Sequence, residues 1–339
     1  MISKIKEFIK RFSLVYRIGK SILERVDSMY TDLIMRINQL DAKMEYLFWL
    51  TQNSENEKMD TTKQKVFSSM PKAQGRDRLL QLANNAILME LKKVCDENDI
   101  EFFLAFGTLL GAVRNHGFIP WDDDVDIAVT RENYIKLVSV LKNNTTLEID
   151  NYYSSMYQKF TKIKFKKSDK FFVDVFILDE FTADENNLAF RYNELKAANQ
   201  SYVQDIREYF RETGKDVSSY NVPQLDSALN DRMNEKYYSL KKNLNYYGEG
   251  NYVCIGIDNP TFIRNMGYVY KKTDLFPATF VEFEGKMYSA FASWDAWLKN
   301  SYGNYWSLPK NITGGHNDLR NLSDEDFMVI KEIIMIKII

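Results

Sequence analysis

Cysteine and histidine are nearly absent: the 339-residue chain holds Cys95 and Cys254, His116 and His316, and no others of either kind. Two cysteines so far apart build neither a disulfide framework nor a CxxC zinc site, and their sparseness fits a reducing, cytoplasmic setting. With so few N and S ligands, a bound metal falls to oxygen donors, and Mg²⁺ or Mn²⁺ is expected. Excess charge is missing too. The 45 Lys+Arg against 47 Asp+Glu leave a formal −2, which argues against nucleic acid as a partner. No run approaches the ~20 apolar residues of a membrane span. The start of the chain is basic but lacks an apolar core and a small-residue cleavage site, so it is not expected to be a secretory signal. With 45% hydrophobic and 27% charged residues, disorder throughout is excluded.

What is present begins with a stripe. Ile5, Ile9, Phe12, Tyr16, Leu23, Val26, Tyr30, Leu33, Ile37, Leu40, Met44 and Leu47 recur at alternating spacings of four and three, with Gly19 the one break. This repeat predicts a coiled-coil helix over 1–50 that pairs with another copy or with another helix; a long amphipathic helix lying on its own domain is the plainer alternative. Lys4, Lys6, Lys10, Arg11, Arg17 and Lys20 make its first part basic, as an anionic membrane surface would favour, although a solvated flank carries such charge equally well.

Residues 51–78 are polar and read as a linker, and 79–325 as the catalytic domain. Within it the patterns predict a helix over 79–98, a strand over 100–106, a Gly-rich turn over 107–117, and strands at 125–129, 160–166 and 171–178. A helix over 131–141, a helical insertion over 183–245, an irregular aromatic segment after 250, a hairpin near 280–288 and a short helix near 294–300 follow. A capping box at Ser323 opens a last helix, assigned to 326–339. The fold class is α/β (α+β): a mixed sheet flanked by helices, with a helical insertion and the N-terminal coiled-coil helix.

The chemistry concentrates in Trp121-Asp122-Asp123-Asp124-Val125-Asp126-Ile127-Ala128-Val129. Read as a strand, this run puts Asp122, Asp124 and Asp126 on one face and the apolar residues on the other. Three like charges on one face repel, and a divalent cation between them relieves it. Upstream, Gly107 and Thr108 follow a strand and open a helix, so their N–H groups are candidates to cradle phosphate, with Arg114 as a bidentate clamp. Asp174 stands in a nearly continuous apolar strand, where a carboxylate needs a functional partner or a buried ion pair. Lys162, Lys164 and Lys166 share one strand face, as diphosphate or acceptor contacts or, more plainly, as protection of an edge strand.

Strand, Gly-Thr turn, helix and Asp-x-Asp strand is the order of the nucleotidyltransferase fold. The run from Gly107 to Arg114 and from His116 to Ile127 resembles the signature of the LicD family, which also embraces the fukutin-related proteins. Val173-Asp174-Val175-Phe176-Ile177-Leu178-Asp179 is similar to that family's second acidic strand, with Ile177 where the family commonly has proline. Phe283-Glu284-Gly285, Tyr302 to Trp306, Leu308-Pro309-Lys310 and His316 are similar to its C-terminal block. The resemblance implies transfer of a phospho-alcohol, most often phosphocholine, from CDP-choline or another CDP-alcohol to a glycan hydroxyl of the lipopolysaccharide, capsule or teichoic-acid type, releasing CMP. Such acceptors are assembled on lipid at the inner face of the cytoplasmic membrane. Asp124 and Asp126 are then assigned to the metal, Asp122 as third or outer ligand, and Asp174 as general base or shared ligand. Lys310 and His316 become candidate substrate contacts, and Trp121, Tyr305 and Trp306 candidate aromatic faces for a headgroup. A nucleotidyltransferase releasing pyrophosphate, or an inactive coiled-coil scaffold that only binds glycan, are the alternatives.

Overall fold

The computed structural model describes residues 2–54, 57–154, 156–166, 168, 170–217, 227–244, 250–259, 268–308 and 323–338, in two compact units, 1–66 with 306–310 and 67–305 with 311–339.

The first unit is dominated by α1, Ile2–Gln52, an uninterrupted helix of 51 residues. Its stripe is open to solvent: Leu23, Val26, Tyr30, Leu33, Ile37, Leu40, Met44 and Leu47 all keep 44% or more of their surface. Among the described side chains of α1, the large one that is buried is Trp49, near its end. Trp49 donates from Nε1 to Glu45 at 3.1 Å, and the Lys63 ammonium lies 5.4 Å from its ring centroid. Glu45 also accepts from the Leu308 amide at 3.1 Å. The polar stretch read as a linker carries a helix, α2, Met59–Ser68. Thr62 anchors it, donating to Asn53 at 2.8 Å.

The second unit opens with α3, Gly75–Glu97, and is built on a seven-stranded mixed sheet. In order come β1 (Phe103–Leu104), α4 (Phe106–Asn115), β2 (Asp126–Thr130), α5 (Arg131–Lys142), β3 (Leu147–Tyr153), β4 (Lys159–Phe165) and β5 (Phe172–Phe181). Strand order is β1-β2-β5-β4-β3; β2 and β5 run parallel, with Asp126 beside Asp174, and the other pairings are antiparallel. Beyond β4, the long β5 pairs with β6 (Tyr252–Ile255), which pairs with β7 (Val269–Lys271). Ile127, Ala128, Val129, Val173, Val175 and Ile177 are fully or almost fully buried, as a central parallel pair requires.

Helices α6 (Leu188–Thr213) and α7 (Ser227–Asn243) form the helical insertion and pack Tyr202, Ile206, Tyr209, Phe210, Met233 and Tyr237 against Phe181, Tyr252 and Cys254. The short α8 (Lys272–Leu275) leads into the hairpin β8 (Thr279–Phe283) and β9 (Lys286–Ala290). Its two turn residues, Glu284 and Gly285, both have positive φ, +48° and +78°, matching the right-handed twist of a tight hairpin. Helices α9 (Trp294–Tyr302) and α10 (Asp324–Ile338) complete the unit. At the head of α10 the capping box is realised with Asp326 as the reciprocal partner of Ser323, at 2.7 Å and 3.1 Å.

Several sequence expectations change. The expected strand over 100–106 shrinks to two residues, and the expected turn over 107–117 is mostly helix α4. The Asp-x-Asp segment is a strand only from Asp126 onward; Asp122 and Asp124 lie in the preceding loop. Finally, β4 is an interior strand covered on both sides by β3 and β5, so its lysines do not guard an edge.

Candidate active site

Asp126 is the fixed point of the site. Its main chain is held on both sides, the N–H by Thr108 Oγ1 at 2.8 Å and the carbonyl by the Ala105 amide at 3.1 Å. Its carboxylate accepts from the Gly107 N–H at 3.3 Å. Gly107 and Thr108, expected to cradle phosphate, thus position an aspartate at the first turn of α4, where the helix end favours negative charge. Glycine at 107 leaves room for the acidic loop: a Cβ there would stand 2.7 Å from Asp122 Oδ2 and push that carboxylate aside.

The loop that carries Asp122 to Asp124 is stapled from α3 by two buried amides. Gln81 Nε2 donates to the carbonyls of Ile119 and Asp122 at 3.2 and 2.8 Å, and Asn84 Nδ2 to that of Asp123 at 2.8 Å. Asn84 Oδ1 accepts from the Phe172 amide at 3.1 Å, tying the same helix to the start of β5. Glu284 closes the loop from the hairpin side. It accepts from Arg78 at 3.0 and 2.7 Å, from Lys72 at 3.1 Å and from the Phe118 amide at 3.3 Å. Burial works to raise the Glu284 carboxyl, but Arg78 and Lys72 outweigh it and hold it below the ordinary glutamate value. None of Gln81, Asn84 or Glu284 was identifiable as a positioning residue from sequence; each partner lies far along the chain.

The result is a convergence of carboxylates. Asp124, Asp126 and Asp174 each offer an oxygen within 4.8 Å of the others, and Asp122, Asp123 and Asp124 form a second such group. Burial, then Asp124, Asp174 and Asp122, push the Asp126 carboxyl well above its ordinary value. Burial, then Asp124 and Asp123, do the same to Asp122. A divalent cation removes that repulsion, and an all-oxygen donor set suits Mg²⁺ or Mn²⁺. The loop achieves what the expected strand alternation was meant to achieve.

The remaining expected residues are scattered. Arg114 is engaged elsewhere: its guanidinium carbon stacks 3.4 Å from the Phe67 ring centroid, and Nε and Nη2 are buried without hydrogen-bond partners. Burial alone pushes it down to about 10, with no contribution from any carboxylate of the acidic group. It is not a clamp beside the acidic centre. Trp121 is half-buried in the acidic loop. Tyr305 is buried and donates to Asp295 at 2.6 Å, tied to α9 rather than presenting a free aromatic face. Tyr302, at the end of α9, feels the acidic centre instead: burial of its hydroxyl, then Asp126, Asp122 and Asp124, push the phenol well above the ordinary tyrosine value. Trp306 falls in the first unit, and Lys310 and His316 lie outside the described residues.

A different charge cluster sits further along β5. Arg131 bonds Asp179 at 2.8 and 2.9 Å and Asp258 at 3.0 and 2.6 Å; Lys159 bonds Asp258 at 3.0 Å and the Tyr237 hydroxyl bonds Asp179 at 2.8 Å. This network joins α5, three strand regions and α7, so the second aspartate of the Val173–Asp179 motif anchors the helical insertion to the sheet.

A family model described as LicD/FKTN/FKRP, nucleotidyltransferase domain, matches residues 99–214, which run from β1 to the end of α6. Among characterised sequences the chain is similar to the lipopolysaccharide cholinephosphotransferase LicD of Haemophilus influenzae, 43% identical over 60 residues, 18% of this chain and 23% of that protein. It is also similar to uncharacterized proteins of Rickettsia prowazekii, 40% identical over 55 residues, and Rickettsia typhi, 38% over 55 residues; each match covers 16% of this chain. The matched stretch spans 23%, 21% and 18% of the length of these three relatives.

Proposed function

Because the chain belongs to the LicD family, we propose that it transfers phosphocholine, or another phospho-alcohol, from CDP-choline or a related CDP-alcohol to a hydroxyl of a cell-surface glycan, releasing CMP. The observation that carries the reading is the convergence of Asp124, Asp126 and Asp174 beside the first turn of α4, inside the segment the family model matches. These three residues are the metal ligands in this reading, with Asp122 as an outer ligand. When bound there, a divalent cation neutralises charge on the donor's phosphoryl oxygens. The chain's own part is positional. Thr108 and Gly107 fix Asp126, while Gln81, Asn84 and Glu284 hold the loop that presents Asp122 and Asp124. Asp174, in register beside Asp126, serves as shared ligand.

Choline as headgroup is supported by the similarity to the Haemophilus lipopolysaccharide cholinephosphotransferase and by a half-buried tryptophan, Trp121, in the acidic loop, a residue type that binds quaternary ammonium groups. A lipopolysaccharide-type acceptor carried on lipid would place the work at the cytoplasmic membrane. No helix among the described residues is long and apolar enough to cross a membrane. The basic start of the chain is assigned peripheral contact with anionic lipid at the inner face, on its lysines and arginines alone. The exposed apolar stripe of α1 is assigned to pairing with a second copy.

The test supplies CDP-choline labelled in the choline, Mg²⁺ and a lipid-linked glycan extract. Label in the glycan with equimolar CMP supports the proposal. Pyrophosphate released from CTP, with nucleotide on the acceptor, would favour nucleotidyl transfer instead, and absence of metal and nucleotide binding would favour the inactive scaffold.

A further inference from the structure

Strand β4 carries three lysines whose fates differ. Lys159 is buried against Asp258 at 3.0 Å, in the network of Arg131. Lys164 is fully engaged by β3, with Asp150 at 2.9 Å, Glu148 at 3.4 Å and the Tyr152 hydroxyl at 3.1 Å. Lys162 stands in register between Asp150 on β3 and Asp174 on β5. Asp150 turns to Lys164, which leaves Lys162 with Asp174.

That pairing is loose. The Lys162 Nζ to Asp174 Oδ1 separation is 3.4 Å, against about 2.7–2.9 Å for a close charge-assisted bond. The ammonium rests over Phe172, 3.1 Å from the ring centroid. Both side chains keep 17% of their surface, so the pair borders the cleft rather than the core. The ion pair with Asp174 puts Lys162 directly beside one of the converging carboxylates.

Stability does not account for this arrangement. A pair separated by 3.4 Å contributes little, and apolar residues of similar size do as well. Function does account for it. Asp174 is also a ligand candidate, and once it is engaged as one, Lys162 loses the carboxylate it pairs with and keeps three donors beside a centre whose negative charge a bound cation would largely cancel. An anionic phosphate oxygen is the partner that satisfies both. We propose that Lys162 binds the diphosphate of the nucleotide donor, trading Asp174 for a phosphate oxygen when the site is loaded. The inference rests on the function proposed above and adds the cation that Arg114 does not supply.

The test measures Mn²⁺ binding alone, then inorganic pyrophosphate binding in excess Mg²⁺, by calorimetry on the full chain. Wild type is compared with Lys162→Met, Lys162→Gln and Lys162→Arg, and folding is checked by circular dichroism. The expected result is Mn²⁺ affinity at or above wild type in all variants, with pyrophosphate at least tenfold weaker in Lys162→Met and Lys162→Gln and within threefold of wild type in Lys162→Arg. Should Lys162→Met not fold, Lys162→Gln carries the comparison. Pyrophosphate affinity within twofold of wild type in the uncharged variants overturns the assignment, as does parallel loss of Mn²⁺ binding, which would make Lys162 a support of the ligand set. CMP release by wild type is recorded alongside. A wild type that releases CMP while the uncharged variants bind pyrophosphate normally fails Lys162 alone; a wild type that binds pyrophosphate through Lys162 but releases no CMP from any CDP-alcohol fails the proposed reaction alone.

Discussion

Replacing Asp126 with asparagine should make the metal-free protein more stable and the metal-loaded protein useless. Asp126 is buried, and its carboxylate shares a 4.8 Å neighbourhood with those of Asp124 and Asp174. At that distance two unit charges repel by about 3 kcal/mol at an effective dielectric near 20. Part of this is avoided by protonation, since burial and Asp124 raise the Asp126 carboxyl well above its ordinary value. The sign follows from proton binding. A carboxyl whose folded value lies above the unfolded one holds more protons in the folded state, so metal-free stability falls as pH rises from the ordinary carboxylate range through the folded value. Asparagine keeps an oxygen for the Gly107 N–H and carries no charge. At pH 8 without metal, Asp126→Asn should therefore be more stable by about 1–3 kcal/mol, roughly 2–6 °C in Tm for a domain of this size. Mg²⁺ at about a hundred times its Kd should add about 2.7 kcal/mol to wild type and almost nothing to the variant. Thermal unfolding at pH 5.5 and pH 8, with and without Mg²⁺, reads all of these. A variant less stable than metal-free wild type at pH 8, or one that gains as much from Mg²⁺, would refute the reasoning.

Gly107→Ala should push Asp122 aside, because the added Cβ would meet its Oδ2 at 2.7 Å; a flexible carboxylate yields easily, so stability should change by less than about 1 kcal/mol while Mn²⁺ affinity falls severalfold in calorimetry. Glu284→Gln removes the charge that Arg78 and Lys72 share in a largely buried setting, and should cost about 3 kcal/mol in denaturant unfolding at pH 7. Since the folded Glu284 carboxyl is depressed, that difference should shrink as pH falls from the ordinary glutamate range through the folded value. Arg114→Met should be neutral or stabilising, because it replaces a buried guanidinium with two orphaned nitrogens, and it should leave pyrophosphate affinity unchanged; a tenfold loss would restore Arg114 as a phosphate ligand.

The chemistry of the site was easier to read than its scaffolding. Clustered aspartates within an apolar pattern announce themselves locally, and Asp124, Asp126 and Asp174 do meet. Their geometry was misassigned because period-two alternation continues through Asp122 and Asp124, although the loop is held by side chains of Gln81 and Asn84, about 40 residues upstream. The helix expected to open at the Gly-Thr pair is α4, and the longer turn expected over 107–117 reflects Gly107 and Gly111, which look like chain reversal. Both are glycine for close approach: a Cβ on Gly111 would stand 2.4 Å from the Gly117 carbonyl oxygen. The lysines of β4 resembled edge protection because β3, the real edge, has acidic residues at alternate positions and no strong apolar signal. Arg114 stands at the far end of α4 from Gly107 and Thr108, and its guanidinium packs on Phe67, well upstream in the chain. Tertiary partners decided each of these, and none is encoded within a local window.

CMP release from CDP-choline, CDP-ethanolamine, CDP-glycerol and CDP-ribitol, with Mg²⁺ and a lipid-linked glycan extract, should be measured for wild type and for Asp124→Asn side by side. Metal-dependent CMP from one donor, abolished in a folded Asp124→Asn protein, is the predicted result and names the headgroup. Undiminished CMP release from Asp124→Asn, or release that persists after chelation of the metal, would contradict the assignment of this acidic centre as the site of transfer.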